Sequence, residues 1–186
     1  MIKAIITDFD GTLVDTFEAN YLAYKQVLNG LGIVLAKETY RACFGLRFNE
    51  FMEKIGVKNI TLKDQIKKEK AKVYPLYFDK LVLNCPLLKF LLFMKHNGIK
   101  IAIASTARRE NLINVLNYFD ITDAFDEICT GENVTYGKPH PEIYILTMDK
   151  LNVNESETLI FEDSEVGIQA AERSGAAVIK INEKTF

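Results

Sequence analysis

Asp8 and Asp10 stand two residues apart in "DFDGT", directly behind an apolar run and just ahead of Gly11. Carboxylates this close repel one another, so the pairing implies a positive partner. Three further runs offer matching chemistry: "AST" at 104–106, "GKPHP" around Lys138, and "FEDSEVG" with Glu162 and Asp163. Together they read as a phosphoryl-transfer site. Asp8, Glu162 and Asp163 supply hard oxygen ligands suited to Mg²⁺. The cation relieves the repulsion between an anionic nucleophile and an anionic phosphate. A carboxylate such as Asp8 can attack phosphorus and pass through an aspartyl-phosphate. Asp10 can protonate the leaving oxygen and later take a proton from water. Ser105 can hydrogen-bond a phosphate oxygen, and Lys138 offers a compact positive charge to the phosphoryl group. Gly11 permits a sharp turn beside the ligand.

Taken singly, each run has a plainer reading. "DxDG" alone fits a surface turn, although the acidic spacing of a calcium loop is absent. "AST" alone fits a strand end leading into a helix cap. A Gly-Lys-Pro turn is commonplace, and acids are frequent in the first turn of a helix. The case rests on all four occurring in this order, each behind an apolar run.

Those runs are the elements that must hold the four islands. Apolar stretches at 2–7, 99–105, 127–130, 158–162 and 177–181 read as buried parallel strands. Helical patterns alternate with them. Residues 86–98 open on Pro and close on Gly. Leu112, Val115, Leu116 and Phe119 share one face, and the stretch after Pro141 is expected to bury a stripe of Ile145, Met148 and Leu151. Ser164 is a candidate N-cap for a helix closing at Gly175. Strands alternating with helices predict an α/β doubly wound sheet, whose carboxyl strand ends bind ligands. Residues 17–83 break the rhythm, with helical spacings and no clear strand, which predicts an all-helical insertion after the first strand. The expected division is a core of 1–16 with 84–186 and a helical cap of 17–83.

The runs "DFDGTLVDT", "IAIAST", "GKPHPEIY" and "FEDSEVGIQAAERSGA" resemble the four motifs of the haloacid dehalogenase superfamily, in its phosphatase and β-phosphoglucomutase-like branch. The resemblance spans nearly the whole chain. It implies a Rossmann-like core with a helical cap inserted after the first motif. By position, it implies Asp8 as nucleophile and Mg²⁺ ligand, and Asp10 as general acid/base whose backbone carbonyl also ligates the metal. It further implies Ser105 and the Thr106 amide as phosphate binders, Lys138 as the motif lysine, and Glu162 with Asp163 completing the metal site. The pattern commonly continues with another strand and helix beyond 177–181.

Asp10 argues against a true dehalogenase, because halide departure needs no protonation. A phosphonatase would need a buried cap lysine, and no cap lysine reads as buried. A phosphosugar mutase is the nearer alternative, but Asn20 stands where the β-phosphoglucomutase pattern carries a hinge histidine, and Asn cannot titrate. Gly45 and Arg47 in "FGLRFNE", and Arg108 after the second motif, are candidate substrate contacts. A phospho-receiver domain gathers similar residues, but with its acidic pair at the first strand and no cap. A catalytically silent binding domain is the other non-enzymatic reading.

With 186 residues, 48% apolar, and a net charge of −2, the chain has ample core material and no basic excess for nucleic acid. No apolar run suits a signal peptide or a membrane span. The expectation is a cytoplasmic monomer or weak dimer acting on a small phosphorylated metabolite. Cys43, Cys85 and Cys129 form no metal-binding spacing and are expected as small core residues, while His96 and His140 are expected on the surface.

Overall fold

A computed structural model describes residues 1–182. The chain divides into two units, Thr16–Leu81 and the remainder on either side of it.

The larger unit is built on a sheet of β1 (Ala4–Thr7), β4 (Lys100–Ser105), β5 (Glu127–Thr130), β6 (Thr158–Glu162) and β7 (Ala177–Lys180), ordered β5-β4-β1-β6-β7 and parallel throughout. Central β1 is flanked on both sides, and all four of its residues are fully buried. That is why it reads as an unbroken apolar run rather than an alternating one. Burying each of Ile5 and Ile6 contributes about 1.5–3 kcal/mol. Between the strands lie α5 (Cys85–His96), α6 (Arg109–Tyr118), α7 (Glu142–Leu151) and α8 (Glu165–Arg173). Asn84 caps α5 by accepting from Leu87 N, and Pro86 follows at the tolerated first turn. One sheet face carries Ala4, Ile6, Ala102, Ala104, Cys129 and Ile160, packed with Ile143, Tyr144, Met148 and Leu151 of α7. The alanines on that face leave depth for the bulky α7 side chains. Because the strands are parallel, Thr7, Ser105 and Glu162 all finish at the same sheet edge. The chain order reverses around β1, which is where open α/β sheets form their ligand crevice.

The smaller unit holds α1 (Phe17–Gly30), α2 (Lys37–Arg41), α3 (Phe48–Lys54) and α4 (Ile60–Val73), followed by a 3-10 segment, Tyr74–Lys80. Its core gathers Tyr21, Leu28, Tyr40, Phe51, Met52 and Ile66. The Tyr40 ring lies 5.4–6.0 Å from those of Phe17, Tyr21, Tyr24, Phe44 and Phe51, in tilted and edge-on geometries that aromatic quadrupoles favour. Pro75 sits at the start of the 3-10 segment, where the α-helical pattern of α4 gives out.

Four expectations need correction. The stretch 17–83 is not strandless: β3 (Val82–Leu83) pairs antiparallel with β2 (Val14–Asp15). Two-residue strands lack the length for any periodic signal. The α7 stripe is rotated from its expected position. Ile143, Tyr144, Thr147, Met148 and Leu151 are buried, and Ile145 is 42% exposed. Cys85 opens α5 at the surface, whereas Cys43 and Cys129 are buried. Lys70 of the helical unit is buried, 3% exposed, although no cap lysine reads so in the sequence. Among the described residues, no helix is long and apolar enough to cross a membrane.

Candidate active site

Backbone pairing sets Asp8. Its amide donates to Phe161 O at 2.9 Å, so the β1–β6 ladder runs one residue past β1 and holds Asp8 beside the end of β6. The following turn is tight: Gly11 N donates to Val14 O at 2.8 Å, and Leu13 N and Val14 N both donate to Phe9 O. Gly11 has φ +94°, and a Cβ there would lie 2.3 Å from Asp163 Oδ2. Both the conformation and the close approach require glycine. Thr12 Oγ1 donates to Asp163 Oδ1 at 2.8 Å, tying the "DGT" turn to the β6–α8 loop.

Glu162 ends β6, where Ile181 N donates to its carbonyl at 2.8 Å. Its carboxylate is fully buried and surrounded by donors. Oε1 accepts from Asp163 N, Ser164 N and Ser164 Oγ at 2.9–3.0 Å, and Oε2 accepts from Lys138 Nζ and Tyr144 OH, each at 2.6 Å. Ser164 also caps α8 through Gly167 N. A Cβ on Gly167 would lie 1.9 Å from Glu162 Oε2, so glycine there makes room for the carboxylate.

Lys138 comes from the β5–α7 connection. Its side chain is 4% exposed, and Nζ bridges Asp8 Oδ1 at 2.5 Å and Glu162 Oε2, with Ala104 O at 3.3 Å. The loop is anchored around it: Arg173 Nη1 donates to Pro139 O, and the Glu142 carboxylate accepts from Thr135 N and Tyr136 N. Ser105 ends β4, where its Oγ donates to Asp10 Oδ2 at 3.3 Å and accepts from Ala107 N at 3.0 Å.

The electrostatics are lopsided. Burial drives the Lys138 ammonium down, but Asp8 and Glu162 outweigh it and hold the group well above 10.5. Glu162 is pulled below its ordinary value despite burial, chiefly by Lys138. Asp8 goes the other way: burial and then the Glu162 charge raise it well above 3.8, more than Lys138 can offset. Asp163 is pushed up to about 6, first by burial and then by Glu162, against the Thr12 hydrogen bond. One ammonium thus faces three carboxylates whose oxygens lie within 4.8 Å of one another. A divalent cation fits this deficit, and an all-oxygen donor set suits Mg²⁺. Of the three, Glu162 receives the most protein donors, whereas Asp8 accepts from Lys138 and Asp163 from Thr12.

The candidates thus fall into two groups. Asp8, Asp10, Ser105, Lys138, Glu162 and Asp163 gather at one sheet edge. Thr106 follows β4 directly, and Arg108 precedes α6, its guanidinium 3.4–3.5 Å from Glu110 and Glu132. Gly45 and Arg47 belong to the helical unit, Gly45 at φ +85° in the turn before α3 and Arg47 as the residue capping it. Sequence reasoning missed Tyr144, Thr12 and Gly167. The i, i+1, i+4, i+5 spacing of Ile143, Tyr144, Thr147 and Met148 is the signal that would have turned Tyr144 inward.

The chain is 31% identical over 180 residues to a phosphorylated carbohydrates phosphatase of Thermotoga maritima, covering 94% of this chain and 82% of the relative. It is 26% identical to hexitol phosphatase B of Escherichia coli strain K12, covering 91% of this chain and 79% of that protein. The crystal structure of β-phosphoglucomutase from Clostridium difficile superposes with a TM-score of 0.85 at 28% identity, over 98% of this chain and 86% of that one. A family described as haloacid dehalogenase-like hydrolase matches residues 5–181, and the chain belongs to that family.

Proposed function

We propose that the chain is a Mg²⁺-dependent phosphatase of small phosphorylated metabolites, foremost phosphorylated carbohydrates, working through an aspartyl-phosphate on Asp8. The observation that carries this reading is the Lys138 ammonium bridging Asp8 and Glu162 beside Asp163. The names of the Thermotoga maritima and Escherichia coli relatives support the carbohydrate class.

In this reading Asp8 Oδ attacks phosphorus while the bond to the leaving oxygen breaks. Asp10 gives that oxygen its proton, then takes one from the water that hydrolyses the acyl phosphate. Lys138, the Ser105 hydroxyl and the Thr106 amide hold the phosphoryl oxygens. Asp8, the Asp10 carbonyl and Asp163 would hold Mg²⁺, with Glu162 acting on the site through Lys138. Bound there, the cation supplies charge neutralisation between nucleophile and phosphate. The helical unit, Thr16–Leu81, serves as the cap, and Gly45, Arg47 and Arg108 contact the rest of the substrate. The proposal places the chain in the cytoplasm as a monomer or weak dimer.

A phosphosugar mutase is the second reading, favoured by the likeness to the Clostridium difficile enzyme. Against it stands Asn20, whose amide oxygen accepts from Lys70 Nζ at 2.7 Å and cannot titrate. The test is a Mg²⁺-dependent screen over sugar phosphates, nucleotides and para-nitrophenyl phosphate, with β-glucose 1-phosphate and its bisphosphate activator included. Release of inorganic phosphate supports the phosphatase, whereas formation of glucose 6-phosphate supports the mutase. No turnover of any phosphoester, with or without Mg²⁺, overturns both.

A further inference from the structure

Tyr144 is among the largest fully buried side chains of the protein. Its ring packs in the cluster formed by α7 and the alanine-rich sheet face. A buried tyrosine needs a partner for its hydroxyl, and here the hydroxyl donates to Glu162 Oε2 at 2.6 Å. That same oxygen receives Lys138 Nζ at 2.6 Å, and Nζ lies 5.0 Å from the centroid of the Tyr144 ring. One carboxylate oxygen therefore has two strong donors. Oε1 is occupied separately by Ser164 and the backbone, and Gly167 leaves no side chain on that flank.

We infer that Tyr144 is a positioning residue: its hydroxyl shares Glu162 Oε2 with Lys138, and so keeps the lysine bridging Asp8 and Glu162 instead of held by Glu162 alone. The inference rests on the functional reading of Lys138 given above. An oxygen that already accepts one strong hydrogen bond attracts a second donor less. Without the hydroxyl, Oε2 is a buried, charged acceptor with Lys138 as its remaining donor, and an under-satisfied buried carboxylate pulls hard on the nearest cation. The 2.5 Å contact from Nζ to Asp8 Oδ1 is the one that gives way. Lys138 then stands back from the nucleophile and from the phosphoryl group that Asp8 attacks.

Tyr144→Phe removes the hydroxyl and retains the ring, so it tests this directly in the whole chain. Three readouts apply. In a crystal structure of the variant, Lys138 Nζ is expected beyond 3.5 Å from Asp8 while remaining on Glu162. This holds whether or not the wild type turns over any substrate, so it fails separately from the functional reading. With para-nitrophenyl phosphate and Mg²⁺, kcat is expected to fall about 5- to 30-fold with KM within about twofold. The double variant Tyr144→Phe/Glu162→Gln is expected to match Glu162→Gln alone, since the hydroxyl acts through that carboxylate. An unmoved Lys138 overturns the inference, as does an unchanged kcat or a loss that adds in full to that of Glu162→Gln. A Tyr144→Phe chain that does not fold overturns it too, because the hydroxyl would then serve the fold and not the lysine.

Discussion

The α/β unit and the helical unit each bury a lysine, and the surroundings differ. Lys138 is gripped by the carboxylates of Asp8 and Glu162. Lys70 donates to the neutral amide of Asn20 at 2.7 Å and lies 3.5 Å from the centroid of the Tyr74 ring and 5.3 Å from that of Tyr24. An ammonium among carboxylates can exchange one anion for another, so an incoming phosphoryl group finds a ready counter-charge. An ammonium set on aromatic faces and an amide gains cation–π attraction and rigidity. Even with Lys138 in place, burial first and then the Glu162 charge leave the Asp8 and Asp163 carboxyls raised. In the proposed reading Lys138 serves the phosphoryl group, while Lys70 holds Asn20 and the tyrosine rings of the helical unit.

The largest expected effect comes from Asp8→Asn. Turnover of para-nitrophenyl phosphate should fall on the order of 10⁴-fold or more while cooperative unfolding is kept. Retained turnover would break the covalent mechanism and, with it, the assignment of chemistry to the α/β unit.

The paired lysines come next. Lys138→Met should lower kcat/KM about 10²- to 10³-fold, the scale of losing a charge aimed at the transition state. Lys70→Met should lower stability by about 1 kcal/mol, because the half-buried Asn20 oxygen loses a donor, and leave kcat nearly unchanged. A Lys70→Met chain with wild-type unfolding and a Lys138-sized loss of activity would erase the distinction.

Asp163→Asn sharpens the argument about surplus charge. Removing one of the crowded carboxylates should raise the unfolding temperature of the metal-free protein and abolish the further rise on adding Mg²⁺, as read by calorimetry. A fall in metal-free stability would show that the carboxylates are not in excess.

The smallest effect expected is on pH. Because the Asp163 carboxyl is raised to about 6, its proton competes with the cation below that value. The Mg²⁺ concentration giving half-maximal activity should climb as pH falls through about 6, by up to about tenfold per unit for one displaced proton. A flat profile from pH 7 to 5 would remove Asp163 as a ligand.

Much of the fold was legible because parallel strands buried on both faces leave unbroken apolar runs. The runs at 127–130 and 158–162 match β5 and β6 end to end, and those ahead of Asp8 and Ser105 overlap β1 and β4. The islands behind them could be named for the same reason, since a strand end is a place in the chain as well as in space. The errors fell where the local pattern was too short or too symmetric. β2 and β3 hold two residues each, and their pairing joins segments nearly seventy positions apart. In α7, apolar residues occupy enough positions that two neighbouring stripes compete, and Ile145 and Tyr144 exchanged places. Nothing in a lysine-rich α4 distinguishes Lys70 from its exposed neighbours before the helices are packed.

The order of the apolar runs and the types of residue behind them were enough to point to an α/β sheet, its helical interruption and a gathering of acids, a serine and a lysine at the strand ends. Tertiary structure alone decided which oxygen each donor reaches. It surrounded Glu162 with protein donors, buried Asp8 and Asp163 close beside it, and turned Tyr144 onto the oxygen that Lys138 also holds. The reason is physical: periodicity records which face of an element is buried, whereas hydrogen-bond partners and pKa values depend on distances of a few ångströms between segments far apart in the chain.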